Sequence, residues 1–315
     1  MRVRAGLPVL LLVLAAAAAG GAGGAAAPAG GGGGSRRVSY WWDGRDRREP
    51  DAHKFLSWVK AHASIVDSVM FNCGTRLLDD GSIGGGVSDA CLSGMAGCRE
   101  LGVGVELWLG ESRNLTAQRV MFARWEATAD ALVDLVRKHE LQGVNFDLEP
   151  HGSVAADAER YARFLSRVKP RLNAAGARLT ADAAPFAPMI ANLTLLAPAV
   201  DKVMYMHTYF AKSEAEWIGR LDAATAALGP GGAPKFAAGL AGFKDNNTRG
   251  WADTPQSAVD RVCWLMHRRV PEIAVFRISL HDVPEHEVWP LPWWAAPLAA
   301  YRRGEECTPP GMGGR

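Results

Sequence analysis

Eight strand-like runs separated by segments of helical periodicity constrain the fold of this chain more than any other feature. The runs are residues 38–42, 66–72, 103–109, 143–149, 178–183, 201–209, 235–242 and 273–280. Between them, 115–139, 154–175, 214–228 and 255–269 carry apolar residues at helical spacing, and 293–303 supplies a closing helix. A helix that returns the chain to the starting end of the next strand makes the sheet parallel. Eight such units imply a closed barrel rather than an open doubly wound sheet, so the expected fold class is α/β, a single (β/α)8 TIM barrel.

The chain has 315 residues, and without its low-complexity start about 280 remain, enough for one barrel of roughly 250 residues. Residues 1–27 begin with Arg2 and Arg4, continue through the apolar run Leu7 to Ala19 and end in small residues, the layout of a secretory signal peptide. Residues 28–35 read as a Gly-rich linker and 36–315 as the barrel domain. The expected route is secretory, ending outside the cell or in a lysosome or vacuole. Three sequons agree with it, at Asn114, Asn192 and Asn246. All five cysteines lie in the mature region and fit no zinc spacing. The spacing would allow Cys91 with Cys98 and Cys263 with Cys307 but does not fix the connectivity, and Cys73 is the candidate for the cysteine left over, as a buried thiol. A net charge of +2 gives no electrostatic reason to expect nucleic acid or an anionic membrane as partner. No membrane span is expected, and the single barrel is expected to be a monomer.

The fourth run reads Gly143-Val144-Asn145-Phe146-Asp147-Leu148-Glu149-Pro150. On a strand, side chains alternate, so Asn145, Asp147 and Glu149 share one face while Val144, Phe146 and Leu148 share the other. A parallel sheet is covered on both faces, and two carboxyls with an amide there cost several kcal/mol unless they are hydrogen-bonded. Glu149 ends the run, since Pro150 cannot donate to the ladder, and active groups in such barrels gather at the C-terminal strand ends. Other strand ends offer Tyr40 to Asp43, Glu106, Trp108, Asp182, Tyr205 to Tyr209, and His281 with Asp282.

This stretch resembles the catalytic strand of glycoside hydrolase family 18, the chitinases and chitobiases, whose pattern is Asp-Gly-x-Asp-x-Asp-x-Glu. Gly143, Asp147 and Glu149 match it, while Gln142 replaces the first Asp and Asn145 the middle one. The family carries Met-x-Tyr-Asp on strand six, where this chain has Met206-His207-Thr208-Tyr209. The resemblance implies retaining, substrate-assisted hydrolysis of N-acetylglucosamine-containing oligosaccharides, without cofactor or metal. Glu149 would be the acid and base, Asp147 would hold the acetamido nitrogen, and Asn145 would be a neutral partner to Asp147. Trp42 and Trp108 are the expected stacking surfaces, with Met206, Thr208 and Tyr209 as further substrate contacts. Two other readings remain open. One is a chitinase-like lectin that binds N-acetylated glycans, and the other is an unrelated barrel hydrolase pairing Glu149 with Asp182 or Glu106. Larger family members insert a subdomain after strand seven, but here the next helical pattern begins near Pro255, leaving only a short loop with Trp251.

Overall fold

A computed structural model of the protein describes residues 36–43, 49–241, 254–278 and 292–310. The expected signal peptide and linker, the sequon at Asn246, Trp251, and His281 with Asp282 lie outside the described residues. The alternation forms eight strands: β1 (Arg37–Asp43), β2 (Ser68–Asn72), β3 (Gly104–Ser112), β4 (Gly143–Leu148), β5 (Arg178–Ala183), β6 (Lys202–Tyr205), β7 (Phe236–Ala241) and β8 (Glu272–Ile278). Each pairs in parallel with its neighbours in sequence, and β8 pairs with β1 to close the barrel. The chain is a (β/α)8 TIM barrel.

Strand alternation divides the apolar residues into two clusters. Val144, Phe146 and Leu148 face outward into the large core under the helices, which also takes Trp42, Phe55, Phe71 and Phe164. Trp41, Met70, Trp108, Met204, Ala237 and Ala274 form a second cluster in the lumen, with Phe276 packed against it. Both faces of β4 are therefore buried, as a parallel strand requires.

The N-terminal end of the lumen is plugged by charge. Arg178, the first residue of β5, binds Glu106 through Nε at 3.0 Å and Nη2 at 2.8 Å, and Glu272 through Nη1 and Nη2, both at 2.9 Å. Ser39 donates to Glu272 at 2.6 Å and accepts from Ser68 at 3.0 Å. Gly143 makes room for this network, since a Cβ there would stand 2.5 Å from a Glu106 oxygen. Burial works against the charge on Glu272, but the Arg178 guanidinium, with Arg37 and the Ser39 hydroxyl, outweighs it and holds the group down at about 2. That stability is present above the ordinary value of 4.5 and is lost as pH falls toward about 2. Arg178→Met takes the guanidinium from buried Glu106 and leaves buried Glu272 with only the longer contacts to Arg37 and Lys202, both at 3.9 Å, and we expect it to lose about 3–5 kcal/mol at neutral pH in denaturant unfolding. The acid response should also become shallower. Wild type weakens on acidification, whereas the variant should lose much of that dependence because the guanidinium that chiefly holds Glu272 down is gone.

Three differences from the sequence reading have local causes. The sixth strand stops at Tyr205, and Met206–Phe210 is a 3-10 turn, because Thr208 Oγ1 donates to the Gly239 carbonyl at 2.6 Å and Arg220 holds the His207 carbonyl at 2.6 Å. The segment 115–139 is two helices, Leu115–Ala123 and Trp125–His139. The cysteine pairing is also different. Cys91 and Cys98 lie on one helix, Asp89–Glu100, where seven residues span about 10.5 Å, beyond the reach of a disulfide. Cys91 pairs instead with Cys73 at the end of β2, leaving Cys98 as the buried thiol, and burial pushes that thiol up to about 12. Cys263 pairs with Cys307, one of the pairings the spacing allowed, and ties the helix Pro255–His267 to the C-terminal segment. Asn114 and Asn192 are exposed helix N-caps, accepting from Ala117 N at 3.1 Å and Leu195 N at 3.1 Å.

Candidate active site

The inward face of β4 carries Asn145 and then Asp147. Asn145 is fully buried, and its hydrogen-bonding capacity is committed. Its Oδ1 accepts from Trp41 Nε1 at 3.2 Å, while Nδ2 donates to Thr180 Oγ1 at 2.9 Å and Asp182 Oδ1 at 2.8 Å. Asp147 Oδ2 accepts from Trp108 Nε1 at 3.1 Å. Asp182, on the neighbouring strand β5, is hydrogen-bonded to Asp147. Both carboxyls are closed off, Asp147 being 3% and Asp182 1% exposed. Burial pushes the Asp182 carboxyl well above the usual range, the charge of Asp147 adds to the push, and the Asn145 hydrogen bond opposes it.

Glu149 stands one step further out. Its backbone N–H still bonds to β3, donating to the Ser112 carbonyl at 3.0 Å, so the residue is tethered after the strand has ended. Pro150 then ends the pairing. The Glu149 side chain is 21% exposed and lies 3.8 Å from the Arg113 guanidinium. With Arg113, His151, Phe186 and Pro188 it lines a cavity of about 240 Å³. Of the three carboxyls, Glu149 alone lines this space, so reagents from solvent meet it first.

The lumen below is aromatic. Trp41 and Trp108 both pack edge-on against Phe276, at 5.9 and 6.1 Å between ring centres. Tyr209 stacks on the same ring at 5.7 Å and lies over Gly239, where a Cβ would come within 2.6 Å of its Cε1. Burial raises the Tyr209 phenol well above its ordinary value, and the charges of Asp182, Asp147 and Glu149 add to that effect. Tyr209 therefore stays protonated beside the acidic group.

No protein-family model and no curated protein sequence matches the chain. Solved structures do match it. The chitinase from Chromobacterium violaceum superposes with a TM-score of 0.64 at 12% identity, over 85% of this chain and 99% of the other. A GH18 chitinase from Pseudoalteromonas aurantia gives 0.58 at 14% identity, over 84% and 99%. The fold is chitinase-like. The spore cortex-lytic enzyme SleL of Bacillus cereus also matches, with a TM-score of 0.64 at 14% identity over 88% of this chain and 76% of that one.

In this chitinase-like barrel the residues expected from sequence fall in different places. Asn145, Asp147 and Glu149 come together at the C-terminal mouth of β4, and Tyr209 reaches the same region from the turn after β6. Trp108 is in the lumen but fully buried, and its indole nitrogen holds Asp147. Trp42 is a correction. It faces the helices, stacked on Phe55 at 4.4 Å, and the lumen member of the pair is Trp41. Met206 belongs to the large core outside the lumen, and the Thr208 hydroxyl is bound to Gly239. Asn145 gives its amide hydrogens to Thr180 and Asp182, so the neighbouring carboxyl bonded to Asp147 is Asp182. Glu106 is in the plug at the opposite end and is no partner for Glu149. The importance of Asp182 was signalled by Arg178, Thr180 and Asp182, three polar residues at period two on a strand whose other positions are apolar. No group of metal-ligating side chains occurs among the described residues.

Proposed function

We propose that the protein is a glycosidase that hydrolyses N-acetylglucosamine-containing oligosaccharides with retention, using the substrate's own acetamido group as nucleophile. The observation that carries this reading is the division of labour among three carboxyls. Glu149 lines the open cavity, while Asp147 and Asp182 are bonded to each other and sealed from water behind it. The likeness to structures named chitinases supports the substrate class.

Glu149 gives its proton to the glycosidic oxygen as the acetamido carbonyl oxygen attacks the anomeric carbon. The C–O bond breaks and the leaving sugar departs as an alcohol. Asp147 accepts from the acetamido N–H and balances the positive charge of the cyclic intermediate. Glu149 then removes a proton from the incoming water, which opens the ring and restores the starting states. Passage of the chain through the secretory route is supported by the two disulfides. No helix among the described residues is long and apolar enough to cross a membrane.

The test is turnover of fluorogenic N-acetylglucosamine oligomers by purified protein, with product lengths read from a defined hexamer. Only residues 242–254 separate β7 from the next helix, too few for a walling subdomain. We therefore expect short soluble oligomers to be cut faster than crystalline chitin. Tight binding with no product over long incubation would instead support a lectin, a reading favoured by the absence of the family's Tyr-Asp pair after β6.

A further inference from the structure

We propose that Asp182 is a positioning residue that holds a proton for the buried pair, accepting from Asn145 through one oxygen and donating to Asp147 through the other. This rests on the glycosidase reading for its catalytic consequence but not for its location.

Two carboxyls cannot hydrogen-bond to each other unless one is protonated, and the surroundings decide which. Asp147 already accepts from the Trp108 indole, a donor that favours its charged form. Asp182 receives the Asn145 amide on Oδ1, and that amide cannot turn over without breaking its bonds to Trp41 and Thr180. The groups acting on Asp182 are Asn145 and Asp147 from β4, Glu149 just past its end, and the phenols of Tyr161 on helix Ala155–Ala174 and Tyr209 on the turn Met206–Phe210. None of these is a cation, and Asp182 is 1% exposed, so a negative charge on Asp182 itself would meet neither solvent nor a cation among the groups acting on it. A neutral Asp182 leaves one charge in the pair, places it on Asp147, and aims it by a hydrogen bond that an ionised Asp182 could not give. Asn145 thus acts two bonds away from Asp147. It fixes the acceptor oxygen of Asp182, which leaves the other oxygen to carry the proton.

An amide is a permanent copy of a protonated carboxyl, with one oxygen acceptor and one nitrogen donor in the same plane. Asp182→Asn should therefore keep kcat within about threefold of wild type, whereas Asp182→Ala, which lets Asp147 drift, should lose about a hundredfold, the effect of misplacing a reacting group by about 1 Å. KM should change little in either, because neither side chain reaches the cavity. Isotope-edited infrared spectra of resting protein at neutral pH should show, apart from any absorption of the Glu149 acid, a protonated carboxyl that disappears in both Asp182 variants and persists in Glu149→Gln. Absence of that band, or Asp182→Asn as impaired as Asp182→Ala, overturns the proposal. A band assigned to Asp182 in a protein that turns over no glycan would reject the glycosidase reading and leave the proton where it is placed here.

Discussion

Glu149→Gln should lower kcat about ten-thousandfold, the upper end of general acid–base contributions, equivalent to about 5.5 kcal/mol of transition-state stabilisation. The upper end is expected because one residue serves both steps, giving a proton to the leaving oxygen and later taking one from water. The amide keeps the size and shape of the carboxyl but has no proton of suitable acidity. The fold should be unaffected. Glu149 is held by its backbone bond to Ser112, which the substitution does not touch, and its ion pair with Arg113 involves a guanidinium that is 62% exposed. Such pairs contribute about 0–1 kcal/mol, so the melting temperature should move by a few degrees at most. Binding of a non-hydrolysed N-acetylglucosamine oligomer should persist, which makes the variant useful for locating the sugar. Near wild-type turnover would remove Glu149 from the acid role.

The barrel was legible because its signal is redundant. Each of eight strands must be apolar on its outer face, and each connection must carry a helical stripe, so an error in one element does not alter the count. Within a strand the legible quantity is parity, and parity fails where neighbours are chemically alike. On β4 the polar and apolar positions alternate cleanly, and the lumen face follows. On β1 the pair Trp41-Trp42 offers the same side chain to both faces, and only the hydrogen bond of Trp41 to Asn145 and the stacking of Trp42 on Phe55 separate them. After β6, parity itself ceases to apply. The Thr208 hydroxyl and Arg220 draw the chain into a tight turn at Met206, and residues counted as strand leave the period of two.

The acidic group shows a different limit. Asp147 and Glu149 were visible as a pair because they share a strand, and sequence spacing is then a distance. Asp182 is 35 residues beyond Asp147, and its proximity arises only through the register of β4 with β5, in which Phe146 lies opposite Ala181. The disulfides follow the same logic. Cys91 and Cys98 are close in sequence but lie on one rigid helix, whereas the partner of Cys91 is Cys73, 18 residues away at the end of β2.

Asp147→Asn should reduce kcat by about a hundredfold, or about 2.7 kcal/mol, with most of the loss falling on the step that forms the cyclic intermediate. The replacement keeps an oxygen to accept from Trp108, so the lumen packing should hold, but it removes the anion that faces the developing positive charge. The loss should stop near that figure because the site retains a second carboxyl. After burial, the largest influence keeping Asp182 protonated is the charge of Asp147, and with that charge gone Asp182 ionises more readily. A weaker and more distant anion then partly replaces the first. Raising the pH should therefore recover some activity in Asp147→Asn, and Asp147→Asn combined with Asp182→Asn should show no such recovery. The comparison that isolates the mechanism uses two substrates with the same leaving group, one bearing a 2-acetamido group and one a 2-hydroxyl. If the acetamido group is the nucleophile, Asp147→Asn should penalise only the first, and the wild-type preference between them should shrink by about the same hundredfold. Equal losses on both substrates would mean that the acetamido group takes no part in the attack.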